Sequence, residues 1–293
     1  MAHSHADDPL HPVAHVSDTA LWVAVHRATE STRKDALFRD PYAERLAGER
    51  GRRIVSQLDA AKGSAWSIIT RTAVLDELIM AAIRDGADTV LNLAAGLDTR
   101  PYRLSLPSST RWIEVDFAAM ITYKESKLVD ARPQCALERI ALDLTDRTAR
   151  QRLFARVNEE SRQVLVITEG LLIYLTQDDV AALAEDLHAA PHFRQWIADV
   201  LTAELLEWLL KTHFKTFASG SVRMHFAPPG GIAYFERFGW RAQTVRRMTV
   251  ESRRLKREMP RAWLFRLLRS LSSRRVRERY SKFESYLLTL ERV

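Results

Sequence analysis

Apolar residues repeat at helical spacing through the first part of the chain. Leu21, Val25 and Ala28 fall on one stripe of a helix, and the stripe of a later helix runs up to Gly86. Glycine often ends a helix because it adopts the left-handed conformation without strain. We therefore predict three or four helices over residues 17–86, with no strand among them.

Beyond residue 86 the pattern changes to short apolar runs that alternate with helical stretches. The runs lie at 88–96, 110–117, 137–144, 163–170 and 193–200. Each run ends in small, acidic or loop residues, which is typical of buried strands. Alternating strands and helices indicate a mostly parallel sheet with helices on both faces, so we predict a doubly wound α/β domain.

Residues 201–231 interrupt this alternation. A stretch of about 30 residues is too long for a tight connection and is typical of a lid or binding loop. Two further strand patterns follow, on either side of an arginine-rich helix, and they bring the predicted sheet to seven strands. The predicted organisation is a disordered tail (1–16) and a single domain (17–293), made of a helical cap (17–86), a core (87–200), an inserted lid (201–231) and a C-terminal part with the basic helix (232–293).

The composition is that of a soluble globular protein, with 46% hydrophobic and 28% charged residues among 293. The net charge is +7, but residues 241–282 carry +12, which leaves −5 for the rest of the chain. A nucleic-acid-binding protein that uses this basic segment is one interpretation. Because Trp263, Leu264 and Leu267 alternate with the arginines at helical spacing, we expect instead that this helix packs its apolar face against the domain. We predict no nucleic-acid and no membrane partner.

The single cysteine, Cys135, excludes an internal disulfide and a cysteine-based zinc site, and it suits a reducing cytosol. His188 and His192 have helical spacing, but Pro191 interrupts it and no third ligand is near, so no metal site is predicted. No apolar run reaches the roughly 20 residues of a membrane helix. The first residues lack the parts of a secretory signal, and a cytoplasmic location is expected.

Small or acidic residues follow successive strands of the predicted sheet. Ligands bind beyond the carboxyl ends of parallel strands, which makes these residues candidates for a site. Ala95 and Gly96 end the first run and let a ligand approach the backbone closely. Asp116 ends the second run, where its carboxylate either accepts the two hydroxyls of an adenosine ribose or caps the next helix.

The third and fourth runs also end in candidate residues. The Asp143 carboxylate suits the exocyclic amine of adenine, and the backbone N–H of Leu144 suits a ring nitrogen. Glu169 leaves an apolar strand, where an unpaired buried charge costs several kcal/mol, so we interpret it as functional. Arg100 and Arg103 fit an anionic ligand or, equally, solvated surface charge.

Six stretches carry a resemblance to a known family. In chain order across about residues 17–185 they are DALFRDPYAERLAG, TRTAVLDELI, NLAAGLDTRPYRL, WIEVDFAAMITYKESKL, ALDLTD and ITEGLLIYLT. They resemble the leucine carboxyl methyltransferase-like family of S-adenosylmethionine-dependent methyltransferases, particularly its bacterial branch linked to polyketide O-methylation. The resemblance implies a Rossmann-like class I methyltransferase fold and S-adenosyl-L-methionine as cofactor.

The resemblance also implies roles for individual residues. The cofactor-binding set is Arg71 (carboxylate), Ala95, Gly96 (methionine part), Asp116 (ribose), Asp143 and Leu144 (adenine) and Glu169 (near the amino group). Tyr174 is the catalytic candidate, because it lies where the acceptor approaches. Considered by its position alone, Tyr174 also fits core packing and Arg71 also fits a helix surface.

The predicted reaction is transfer of a methyl group to a carboxylate or hydroxyl of a small molecule, such as a polyketide. Such a reaction mainly requires alignment in a dry pocket. A carboxylate arrives ionised and needs no base, whereas a hydroxyl needs one, for which His213 and His225 in the lid are candidates. The alternative enzyme class is a nicotinamide-dependent oxidoreductase, although the first turn lacks the G-x-G-x-x-G motif of such enzymes.

Overall fold

The computed structural model describes residues 16–57, 59–212, 224–271, 273, 275 and 282–293. Residues 1–15 of the predicted tail and 213–223 of the predicted lid, including His213, lie outside them. The helices are α1 (Val16–Ser31), α2 (Ala43–Gln57), α3 (Asp59–Arg84), α4 (Arg100–Arg103), α5 (Ala118–Lys127), α6 (Arg147–Glu160), α7 (Gln177–Ala189), α8 (Ala203–Thr212), α9 (Met248–Arg254) and α10 (Ala262–Leu271), with 3₁₀ turns at Leu172–Tyr174 and Ile232–Phe238. Among these helices, none combines the length and the apolar character that crossing a membrane requires.

Seven strands form one sheet in the order β3-β2-β1-β4-β5-β7-β6. The strands are β1 (Thr89–Leu93), β2 (Arg111–Asp116), β3 (Ala136–Ala141), β4 (Val164–Thr168), β5 (Phe193–Leu201), β6 (Trp240–Arg247) and β7 (Ser285–Arg292). β1 to β5 pair in parallel, and β7 lies antiparallel between β5 and β6. The prediction of a doubly wound, mostly parallel, seven-stranded sheet is confirmed.

Helices cover both faces of the sheet, which explains why the central strands β1 and β4 are buried along their whole length. On one face, α6 and α7 bury Phe154 and Leu183. On the other, α3 buries Leu75 and Ile79 against Trp112 of β2. Each such side chain stabilises the fold by about 1.5–3 kcal/mol relative to its exposed state.

Two local features place side chains at the carboxyl edge of the sheet. Arg71 lies one helical turn before Leu75 on α3, so the face of α3 that packs on the sheet also brings Arg71 to this edge. The 3₁₀ turn that contains Tyr174 ends where α7 begins. There the Thr176 hydroxyl accepts a hydrogen bond from the Asp179 N–H (3.2 Å) in a capping box that fixes the start of α7.

Three apolar side chains of the arginine-rich helix α10 are exposed to solvent. Trp263 is 63% exposed and Leu267 is 49% exposed, and Leu264 is exposed as well. The expectation that these three side chains pack against the domain is wrong. The physical reason is that apolar residues of α3 and Met248 of α9 form a buried cluster on the sheet that contains no side chain of α10 among the described residues.

Cys135 precedes β3 and is buried. Burial, together with the Glu114 carboxylate, raises the pKa of the Cys135 thiol to about 11. The reactive thiolate is therefore about 100-fold rarer at pH 7 than for an ordinary thiol. We expect the native protein to resist a thiol reagent at pH 7 and to react in urea, as measured by absorbance with a chromogenic disulfide. Rapid labelling without urea would show that this side chain is accessible.

Candidate functional site

The register of the parallel strands aligns the predicted site residues along one edge. Val115 of β2 pairs with Leu93 of β1, so Asp116 lies level with the turn after β1. Thr168 of β4 pairs with Ala198 of β5, so Glu169 lies level with Asp199. The turn after β1, Asp116 at the end of β2, Glu169 after β4 and Asp199 near the end of β5 therefore lie at the carboxyl edge of the sheet.

The turn after β1 is held by Asp116. The Gly96 N–H donates to Asp116 Oδ2 (2.6 Å), and the Phe117 N–H donates to Asp116 Oδ1 (2.7 Å). Gly96 has φ +50°, a left-handed conformation, and a side chain there would contact Ala20 of α1. Helix α5 begins without a side-chain cap, so the helix-cap interpretation of Asp116 is wrong. Burial raises the pKa of Asp116, although the two N–H donors oppose the rise.

Arg71 contacts two carboxylates at this edge. Its Nε donates to Glu169 Oε1 (2.9 Å), and its Nη1 donates to Asp199 Oδ2 (3.0 Å). The side chain is only 21% exposed, so its interpretation as a helix-surface arginine is wrong. Within the described residues, Nη2 of Arg71 makes no hydrogen bond to protein and lies beside Gly170.

Arg100 is buried and shares Glu169 with Arg71. It bonds Asp76 (2.7 Å), Asp98 (3.0 Å) and Glu169 (2.8 Å). Arg103 bonds Asp76 as well (2.6 Å). The interpretation of the two arginines as solvated surface charge is therefore wrong. The chain pattern does not reveal these contacts, because the three carboxylates belong to different elements of the fold.

The carboxylates around Arg71 and Arg100 differ in how far the nearby arginines offset the effect of burial on their pKa values. Burial opposes the ionised form of Asp98, yet Arg100 and other nearby cations hold the pKa of Asp98 well below its usual range. Burial also acts to raise the pKa of Glu169, but Arg100 and Arg71 together lower it. Burial raises the pKa of Asp199, although Arg71 opposes the rise.

Sequence reasoning missed Asp199. Its Oδ1 accepts a hydrogen bond from the Gly170 N–H (2.7 Å), beside the Oδ2 contact with Arg71. The run 193–200 was recognised as a strand, but we considered only the ends of the first four runs for chemistry. An acidic residue next to the end of a fifth buried strand was the signal available.

Tyr174 lies near Arg71 and contacts the cap helix α1. Its side chain is hydrogen-bonded to Thr19 of α1, and burial raises its pKa. It packs against the same apolar cluster as Trp22 of α1, Leu209 of α8 and Met224. Tyr174 thus takes part in core packing and also lies close to Arg71.

The remaining candidates lie apart from the arginine cluster. Asp143 is exposed and accepts hydrogen bonds from the Thr145 N–H (2.9 Å) and hydroxyl (2.7 Å). The Leu144 carbonyl accepts from Arg150 (2.6 Å), and its side chain packs on the core. The side chain of His225 is exposed. Among the described residues, no three potential ligands are grouped as a metal ion would require.

Comparisons with known proteins agree on one family. The model of the leucine carboxyl methyltransferase family matches residues 20–188. A candidate S-adenosyl-L-methionine-dependent methyltransferase of Frankia alni is 32% identical over 236 residues, which cover 77% of this chain and 82% of that protein. Another from Streptomyces coelicolor is 39% identical over 175 residues, 56% of this chain and 62% of that protein.

Two solved structures share the fold. A candidate methyltransferase from Thermobifida fusca superposes with a TM-score of 0.58 at 15% identity, covering 99% of this chain and 100% of that chain. A DUF574 family protein from Streptomyces avermitilis gives a TM-score of 0.55 at 15% identity, with coverage of 96% and 98%. These two likenesses concern the architecture alone.

Proposed function

The chain belongs to the leucine carboxyl methyltransferase family and is an S-adenosylmethionine-dependent methyltransferase, and we propose that it methylates an oxygen atom of a small molecule, in the first place a carboxylate. The comparisons favour this class over the nicotinamide-dependent oxidoreductase and over the nucleic-acid-binding protein.

The donor groups at the carboxyl edge suit the cofactor chemically. S-Adenosylmethionine has a carboxylate, an ammonium group, a ribose diol and an adenine amine, and it supplies an electrophilic methyl group when bound. Arg71 retains Nη2 for the carboxylate. Within the described parts of the chain, each Asp116 oxygen accepts a single protein hydrogen bond, which leaves lone pairs for the diol.

The other proposed cofactor contacts follow the resemblance. We assign the methionine part to Ala95 and Gly96, and adenine to Asp143 and Leu144. Glu169 stays the proposed acid near the amino group, with the added role of holding Arg71 and Arg100 in place through its two oxygens.

We choose a carboxylate as the acceptor because of the surroundings of Tyr174. Because burial raises the pKa of Tyr174, this hydroxyl is protonated at neutral pH and acts as a hydrogen-bond donor, not as a base. Trp22, Leu209 and Met224 pack against the same apolar cluster as Tyr174, and apolar surroundings of this kind favour a dry pocket. A donor in an apolar setting suits an acceptor that arrives ionised, and a carboxylate does so without a base.

The proposal is tested by methyl transfer from S-adenosylmethionine labelled at the methyl group. The acceptors are matched pairs of apolar carboxylic acids and alcohols or phenols that share one carbon skeleton. We expect label in base-labile methyl esters, at a rate that changes little between pH 6 and 9. Label found only in base-stable ethers would identify a hydroxyl acceptor instead, and label on nitrogen, carbon or sulfur alone would contradict O-methylation.

Asp116→Asn is expected to weaken S-adenosylmethionine binding about 10-fold. The amide keeps the size of the side chain but loses the charge-assisted hydrogen bonds that we assign to the ribose. Titration calorimetry measures the dissociation constant. Asp130→Asn is the control, because Asp130 is exposed and pairs with Arg45 on the surface. If Asp116→Asn and Asp143→Asn both bound the cofactor like the parent protein, the assignment of the adenosine site would be wrong.

A further inference from the structure

Seven charged side chains at the carboxyl edge are joined by direct ion pairs, and we call them the edge network. They are Arg71, Arg100, Arg103, Asp76, Asp98, Glu169 and Asp199. The ion pairs are 2.6–3.0 Å long. No side chain of the network is more than 21% exposed. Its charges therefore interact strongly with one another and are only weakly screened by salt.

The edge network is not neutral. It contains three guanidinium groups and four carboxylates, so its formal charge is −1 when all are ionised. Lys124 and Arg27 lie near Asp98 and act on that carboxylate: Lys124 shares Glu114 (2.8 Å) with Arg139 (2.9 Å), and Arg27 pairs with Asp40 (3.1 Å). In the described part of the chain, neither of them pairs with Asp199. A buried network with one excess carboxylate is stabilised by a cation from outside.

The excess charge lies at Asp199. Glu169 is bonded by two arginines, whereas Asp199 shares its one arginine, Arg71, with Glu169. Among the residues that the structure describes, the other groups next to Asp199 carry no positive charge: they are the Gly170 N–H, the Tyr174 side chain and, on the paired strand β7, Leu287. Asp199 is therefore the carboxylate of the network that a bound cation would stabilise most.

We propose that Asp199 sets the preference of the site for the charged cofactor over its demethylated product. S-Adenosylmethionine carries a net charge of +1 from its sulfonium, ammonium and carboxylate groups. When the methyl carbon bonds to the acceptor oxygen, the electron pair of the broken carbon–sulfur bond stays on sulfur, and S-adenosylhomocysteine is neutral overall. In the complex with the cofactor alone, the net charge of +1 offsets the edge network, whereas in the complex with S-adenosylhomocysteine alone the excess carboxylate stays uncompensated. This inference rests on the proposed cofactor site.

The test compares three ligands by titration calorimetry on the full chain. S-Adenosylmethionine and sinefungin both carry +1, and S-adenosylhomocysteine carries no net charge. We expect the parent protein to bind sinefungin more tightly than S-adenosylhomocysteine. Asp199→Asn should weaken S-adenosylmethionine and sinefungin about 10-fold and change S-adenosylhomocysteine less than about twofold. Asp199→Glu, which keeps the charge, should restore part of the difference.

Asp88→Asn is the matched control, because Asp88 precedes β1 at the opposite edge and pairs with Arg162. It should leave the ratio of the three affinities unchanged. Equal weakening of all ligands by Asp199→Asn would assign Asp199 a structural role and overturn the inference. Should that variant not fold, equal affinity of the parent protein for sinefungin and S-adenosylhomocysteine would overturn it as well. Absence of S-adenosylmethionine binding by the parent protein would instead contradict the proposed site.

Discussion

Arg100→Met is expected to lower the free energy of unfolding by about 3–5 kcal/mol, since removing one partner of a buried ion pair leaves the other charge uncompensated. The Arg100 side chain is 2% exposed and bonds Asp76, Asp98 and Glu169. Methionine fills a similar volume, so loss of charge dominates over loss of packing. Urea denaturation followed by circular dichroism at pH 7 measures the change.

Arg162→Met is the control for this prediction. Arg162 also pairs with an aspartate, Asp88, but its side chain is 92% exposed. Its replacement should change the free energy of unfolding by less than about 0.5 kcal/mol. A loss below about 1 kcal/mol for Arg100→Met would mean that the edge network contributes little to stability, against the burial argument.

The loss in free energy of unfolding caused by Arg100→Met should also depend on pH. Because nearby cations hold the pKa of Asp98 below its unfolded value, this carboxylate stabilises the fold above that unfolded value, about pH 4. The contribution disappears as the pH falls towards the pKa of the folded protein. The difference between the parent protein and the variant is thus expected to be largest near neutral pH and to shrink in acid. A constant difference down to about pH 3 would contradict this origin.

Arg71→Met is expected to weaken S-adenosylmethionine binding about 100-fold or more. The variant loses the guanidinium that we assign to the cofactor carboxylate, and charge-assisted hydrogen bonds of this kind are the stronger ones in proteins. It also leaves Glu169 and Asp199 without their shared cation. Arg71→Lys keeps the charge but lacks the planar guanidinium group, so its affinity for S-adenosylmethionine should be intermediate.

A second ligand separates carboxylate recognition from damage to the site. 5′-Methylthioadenosine has the adenosine part but no amino-acid carboxylate. Its dissociation constant, measured by titration calorimetry, should differ less than about threefold between the parent protein and Arg71→Met. An equal loss for both ligands would mean that Arg71 maintains the shape of the site and does not bind the carboxylate.

The sequence was sufficient to predict the strands and the acids that end them. Apolar runs locate the strands, and parallel pairing brings their carboxyl ends to one edge, so Asp116 and Glu169 could be recognised as site candidates. The partners of Arg100 could not be predicted in this way. They come from α3, from the turn after β1 and from the end of β4, and helical or strand periodicity contains no information on which separate elements meet.

Asp199 and α10 show two further limits of periodicity. Asp199 lies inside an apolar run, and only the register Thr168↔Ala198 places it beside Glu169. In α10 the spacing of apolar residues correctly indicates a helix with one apolar face. It does not indicate what that face meets, and in the structure Trp263 and Leu267 meet solvent.

The position of β7 affects which strands can pair while the chain is being synthesised. β7 pairs with both β5 and β6, although both strands are synthesised before it. Until residues 285–292 have left the ribosome, β5 and β6 each present an unpaired edge, which is a risk for aggregation. β5 carries Asp199, whose pairing partner is Leu287. The strand that carries Asp199 therefore gains its second neighbour only when β7 has been made, after the cap and the other five strands.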